Sequence, residues 1–165
     1  MQAIWIRCTA TAIVAALLLC AVLVAQSKGA QVNYPEGYRE WTHVKSMVIQ
    51  KGHPLFDAFG GIHHVYANPS AAESLRTEKA FSNGAVFVFD LLEATTNNNA
   101  IVEGPRKVVG VMERDTSRFT ATGGWGFEGF KGDTRDRVVK NAATECFACH
   151  KADQPQDLVF TTWRR

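Results

Sequence analysis

Ala85-Val86-Phe87-Val88-Phe89-Asp90-Leu91-Leu92, introduced by the turn pair Asn83-Gly84, is the densest run of β-branched and aromatic residues in the chain. Such residues suit a pleated, half-buried strand. By period-two alternation Phe87 and Phe89 share a face. Upstream, Ile62 to Ala67 favours a strand, and Asn68-Pro69-Ser70 supplies a cap and a first-position proline for a helix over Ala71 to Lys79. Val44 to Ile49 is a further strand, broken by Lys51-Gly52-His53-Pro54. Before it, Tyr34-Pro35-Glu36-Gly37-Tyr38-Arg39-Glu40-Trp41 reads as an entry turn and a short helix. Downstream, Asn97 to Asn99 turns the chain, and Lys107 to Met112 and the glycine-interrupted Trp125 to Phe130 read as strands. Asp133-Thr134 is placed to cap a helix running through Val138 to Ala148. Strands separated mainly by turns point to an α+β fold, a mainly antiparallel sheet with flanking helices and a C-terminal helix.

The chain has 165 residues, 18 Lys+Arg against 16 Asp+Glu, 46% apolar residues and four cysteines. This composition excludes collagen-like, disordered and multi-span membrane classes. A net charge of +2, with no basic run longer than Arg164-Arg165, gives no footprint for nucleic acid. Thr9 to Ala25 carries no charge and follows Arg7, and Ala25-Gln26-Ser27 ends the run in small residues. Residues 1–27 therefore read as a signal peptide, which predicts a periplasmic or secreted product with no stable membrane insertion after cleavage. An uncleaved anchor is the alternative, but the apolar run falls short of the ~20 residues a spanning helix needs. Residues 28–165 then form a single domain. Cys8 and Cys20 leave with the signal, and only Cys146 and Cys149 remain.

Cys146-Phe147-Ala148-Cys149-His150 is a C-x-x-C-H sequence, the attachment signature of one covalent haem c. Thiols one helical turn apart suit addition to the two vinyl groups, and the adjacent histidine then ligates iron from the proximal side. The C-terminal helix becomes a haem-attachment helix. A thioredoxin-like dithiol belongs near the start of a βαβ unit, and zinc needs further ligands that are absent nearby. No methionine follows His150, which argues against the usual small His/Met electron carrier, although Met47 and Met112 lie upstream.

Beyond this motif, Tyr38-Arg39-Glu40-Trp41, Val65-Tyr66-Ala67-Asn68-Pro69, Phe81-Ser82-Asn83-Gly84-Ala85-Val86, Gly124-Trp125-Gly126-Phe127 and Cys146 to Lys151 occur in a fixed order. With them the chain resembles the cytochrome P-460 / cytochrome c′-beta family, secreted bacterial c-haem proteins, over nearly all of residues 28–165. The resemblance implies an antiparallel sheet holding haem against one face, a homodimer, and an unidentified redox partner.

Within that family, hydroxylamine-oxidising members cross-link a lysine to the haem, and the corresponding position is Phe89, which has no amine. Their proton-transferring carboxylate falls at about Met112, and their distal arginine at about His63. The distal positions thus resemble the c′-beta branch, which implies binding of NO and CO at an apolar distal site and a role in NO binding or detoxification. Phe89, Met112 and His63 are the distal candidates, with Phe87 a weaker one, and no catalytic residue is assigned. The alternatives are a hydroxylamine-oxidising enzyme, with a link from another lysine such as Lys79, or a six-coordinate electron-transfer cytochrome using His63 or Met112. His64 is expected on the opposite strand face. His43 and His53 read as turn-region residues, and Asp90 and Glu93 as a solvated strand end.

Overall fold

The computed structural model describes residues 31–152 and 156–164. The signal-peptide reading of residues 1–27 lies outside them. Five strands, β1 (Thr42–Ile49), β2 (Gly61–Ala67), β3 (Val86–Asn97), β4 (Ala100–Arg114) and β5 (Trp125–Lys131), form one sheet in sequence order. All neighbours are antiparallel, as the turn-separated strands predict. Among the described residues, three short α-helices flank the sheet: α1 (Phe56–Phe59), α2 (Pro69–Thr77) and α3 (Ala148–Ala152).

Register sorts the side chains onto two faces. On one, Phe87 of β3 lies between Ala67 of β2 and Met112 of β4, and Met112 is opposite Phe127 of β5. Phe89 falls in the next row between Val65 and Gly110, and Leu91 in the row beyond, beside His63. The Phe89 ring lies over Gly110, where an added Cβ would meet the ring at 3.2 Å. Ala71, Ala72 and Leu75 of α2 join Phe81, Phe87, Met112, Trp125 and Phe127 in the core on this face. The other face carries Val88, Val109, Val111 and Phe130, covered by Val32, Tyr38 and Phe119.

The helix α2 begins as its sequence predicts. Asn68 Oδ1 accepts from the Ala71 amide at 3.0 Å and from the Val86 amide at 3.1 Å, while its Nδ2 donates to the Gly84 carbonyl at 2.8 Å. One side chain thus caps the helix and fixes the start of β3.

Four local expectations change. β3 and β4 continue well past Leu92 and before Lys107 as a two-stranded arm, because each backbone pairs with the other through Asn97 and Ala100 despite a polar pattern. Asp133-Thr134 is a turn rather than a cap: Lys131 takes the Asp136 carbonyl, Arg137 bridges Phe130, and helical structure starts only at Ala142. His43 lies inside β1 rather than in a turn. Asp90 is no solvated end: it is 2% exposed, accepts from Tyr38 Oη at 2.8 Å and from Arg106 Nε at 2.6 Å, and Arg106 also pairs with Asp133. Strand pairing carries Arg106 next to β3, which no local pattern signals. Glu93 is exposed.

Candidate functional site

The helix that bears the cysteines is wound in two ways. Ala143–Phe147 is a π-helical turn, and Ala148–Ala152 continues it as α3. Single π turns recur at functional sites. Its start is fixed by Asn141 and Glu145: the Asn141 carbonyl accepts from the Glu145 amide at 2.9 Å, and the Glu145 carboxylate accepts from the Asn141 amide at 2.9 Å. This reciprocal arrangement satisfies amides that a helix start leaves unpaired.

Cys146 and Cys149 are both free thiols, unjoined to each other. Cys146 and Phe147 pack against the core of the face that carries Phe87, Met112 and Phe127, whereas Cys149 is exposed. Burial pushes the Cys146 thiol up to about 11, so it is protonated at neutral pH. Two reduced thiols one turn apart suit thioether formation rather than a structural disulfide.

His150 is held on three sides. Its Nδ1 donates to the Leu158 carbonyl at 2.7 Å, and its ring lies 4.9 Å from that of Phe127 and 4.6 Å from that of Phe160. Burial lowers its pKa, which keeps the imidazole neutral. With the proton on Nδ1, the lone pair is on Nε2, the form required of an iron ligand whose other nitrogen is fixed by a carbonyl. The carbonyl is delivered by a strained turn: Asp157 and Leu158 both have left-handed backbones, at φ 49° and 67°. Arg114 braces that turn, 3.6 Å from the Asp157 carboxylate and donating to the Gly123 carbonyl at 2.7 Å. Gly123, itself at φ 67°, lets Phe147 and Leu158 approach to within 3.4 Å and 3.3 Å of where a Cβ would stand. Leu158, Asp157 and Arg114 carry no sequence signal, since left-handed turns are ordinarily marked by glycine or asparagine.

The distal candidates occupy the same sheet face as Phe127. Phe87 and Met112 are neighbours in its row, both buried, and Phe87 sits against the rings of Phe81 (5.3 Å) and Trp125 (6.2 Å). Phe89 is one row further, ~7 Å along the strand, and is half-buried, its ring edge-on to His63 at 4.5 Å and to Phe59 at 6.0 Å. His63, 1% exposed, donates from Nε2 to the Phe59 carbonyl. That bond fixes the tautomer and leaves Nδ1 as an acceptor with no partner among the described residues. Burial lowers its pKa, so the ring is neutral. Phe59, which closes this cluster, lies on the short helix α1 that the sequence reading missed.

A family model for cytochrome P-460 matches residues 35–161. The chain belongs to the cytochrome P-460 family. No curated protein matches it. Membership makes it a c-type cytochrome, and the residues present fit the group: a C-x-x-C pair of free thiols, and a neutral histidine whose only uncommitted ring nitrogen is Nε2. Cys146 and Cys149 would hold the haem and His150 would ligate its iron. Among the described residues, no helix of this cytochrome is long and apolar enough to cross a membrane.

Proposed function

We propose that this cytochrome is a periplasmic, single-haem protein that binds NO and CO at an apolar distal site and serves in NO binding or detoxification. When bound, the haem supplies an iron with an open coordination position for a diatomic ligand. Everything else falls to the protein. His150 presents a neutral Nε2 held in orientation by Leu158. Phe89 stands where the resemblance places the cross-linking lysine, and Phe59 and His63 enclose its ring. His63 keeps its proton on Nε2 against the Phe59 carbonyl, so it offers no hydrogen bond to a bound gas. Met112, at the place of the family's carboxylate, moves no proton. Such a wall admits a neutral diatomic molecule and withholds the general acid that cleavage of an O–O bond requires.

Phe89 is the observation that carries this reading. The test is titration of the ferrous protein with NO, together with mass spectrometry of the haem peptide. Haem is expected on Cys146 and Cys149 alone, and NO is expected to bind stoichiometrically. A lysine cross-link would overturn the reading.

A second reading, oxidation of hydroxylamine, draws on Nδ1 of His63, which has no hydrogen-bond partner among the described residues. A buried acceptor nitrogen suits removal of a proton from an N–H or O–H substrate. Measured turnover of hydroxylamine that falls on His63→Leu would favour it over gas binding.

A further inference from the structure

The sheet face opposite Phe89 carries a side-chain cluster that plays no part in the haem chemistry. Ser46 of β1 is directly opposite His64 of β2, and a register shift between His43 and Lys45 re-aims the strand so that His43 comes beside them. Two imidazole nitrogens converge on one oxygen: His43 Nε2 is 2.9 Å from Ser46 Oγ, and His64 Nδ1 is 2.7 Å from it. The ring centroids are 5.6 Å apart. Behind His64, Nε2–H donates to Glu103 Oε1 at 2.6 Å. Tyr66 backs the His43 ring at 5.5 Å.

The carboxylate settles the proton inventory. Glu103 accepts from His64 Nε2–H, so the other ring nitrogen, Nδ1, can present a lone pair toward Ser46. With the Ser46 hydroxyl donating to His64 Nδ1, His43 Nε2–H donates to Ser46 Oγ, and His43 can present a lone pair to the same point by moving its proton to Nδ1. A carboxylate on the far nitrogen of a histidine is the outer-shell arrangement that orients metal-bound imidazoles and raises their basicity. Two imidazoles and a hydroxyl suit a borderline divalent ion, with copper(II) bound most tightly in the first-row series. Ser46 is exposed, so the point is open to solvent and to water as a further ligand. Of the surrounding charges, Asp90 opposite His64 is already tied to Arg106, and Arg164 near His43 opposes a cation.

We propose that His43 and His64, with Ser46 between them and Glu103 behind, form a surface site for a divalent transition-metal ion, copper(II) or zinc, separate from the haem. The test titrates ferric holoprotein, whose cysteines are consumed by the haem, with copper(II) near pH 7.5. One equivalent is expected to bind with an electron paramagnetic resonance signal split by two nitrogens. His43→Ala and His64→Ala should each abolish the signal, and Glu103→Gln should weaken binding by ~10-fold, the low end for loss of an outer-shell partner. His53→Ala should leave it unchanged, and the haem absorption spectrum reports folding in every variant. Ser46→Ala, which removes the hydroxyl ligand and keeps both nitrogens, should weaken binding without abolishing it. Copper bound equally well by His43→Ala and His64→Ala, or lost only with His53→Ala, would overturn the proposal.

Discussion

His150 Nδ1 donates to the carbonyl of Leu158 at 2.7 Å, across a turn in which Asp157 and Leu158 both take left-handed backbones. In the proposed role of His150 as iron ligand, a carbonyl in that position would raise the basicity of the imidazole and stabilise ferric iron. Leu158→Pro, whose ring fixes φ near −65°, displaces the carbonyl. The reduction potential of the haem is expected to rise, while mass spectrometry still finds the haem attached. An unchanged potential would show that the turn does not act on His150.

Asn68 bonds Ala71, Val86 and Gly84 with one amide. Asn68→Ala removes a cap and two further bonds and is expected to cost ~2 kcal/mol or more in urea unfolding. Asn68→Asp keeps the acceptor and loses only the bond to Gly84, so its cost is expected to be smaller.

On the opposite face, Tyr38 is buried and donates to Asp90, and burial together with that carboxylate raises its pKa above the ordinary value of 10.0. A raised pKa contributes stability that is present below pH ~10 and lost as pH rises beyond it. Unfolding free energy of the wild type should fall between pH 9.5 and pH 11, and Tyr38→Phe should flatten that limb. Asp90→Ala leaves Tyr38 Oη and Arg106 Nε buried without their shared acceptor, while Arg106 keeps Asp133, and is expected to cost ~3 kcal/mol.

His63 has the opposite sign. Its pKa is lowered by burial, so the stability it contributes is present above pH ~6.5 and lost as pH falls. Urea unfolding between pH 7 and pH 5 should show a loss in the wild type that His63→Leu reduces. An equal acid slope in both proteins would show that His63 is not held neutral.

The sheet was legible because its strands alternate and its turns carry Asn-Gly and Asn-rich signals. β2, β3 and β5 were visible in Ile62 to Ala67, Ala85 to Leu92 and Trp125 to Phe130. The arm from Glu93 to Glu103 was not, since neither of its faces is consistently apolar and only backbone pairing makes it. Cys146, Cys149 and His150 were legible as a contiguous motif. The support of His150 was not: Leu158 reaches it through two left-handed non-glycine residues. Nor were the bonds among His43, Ser46, His64 and Glu103 on the other face, which join residues on three strands. Asp90 reads as a polar strand end until Arg106 is brought beside it by register.

The proposed function requires an open coordination position on the haem iron, on the side lined by Phe89. Absorption spectra of the ferrous protein before and after one equivalent of NO address it most directly. A five-coordinate, high-spin ferrous haem whose spectrum shifts on adding NO is expected. A low-spin, six-coordinate ferrous spectrum that NO leaves unchanged would contradict it.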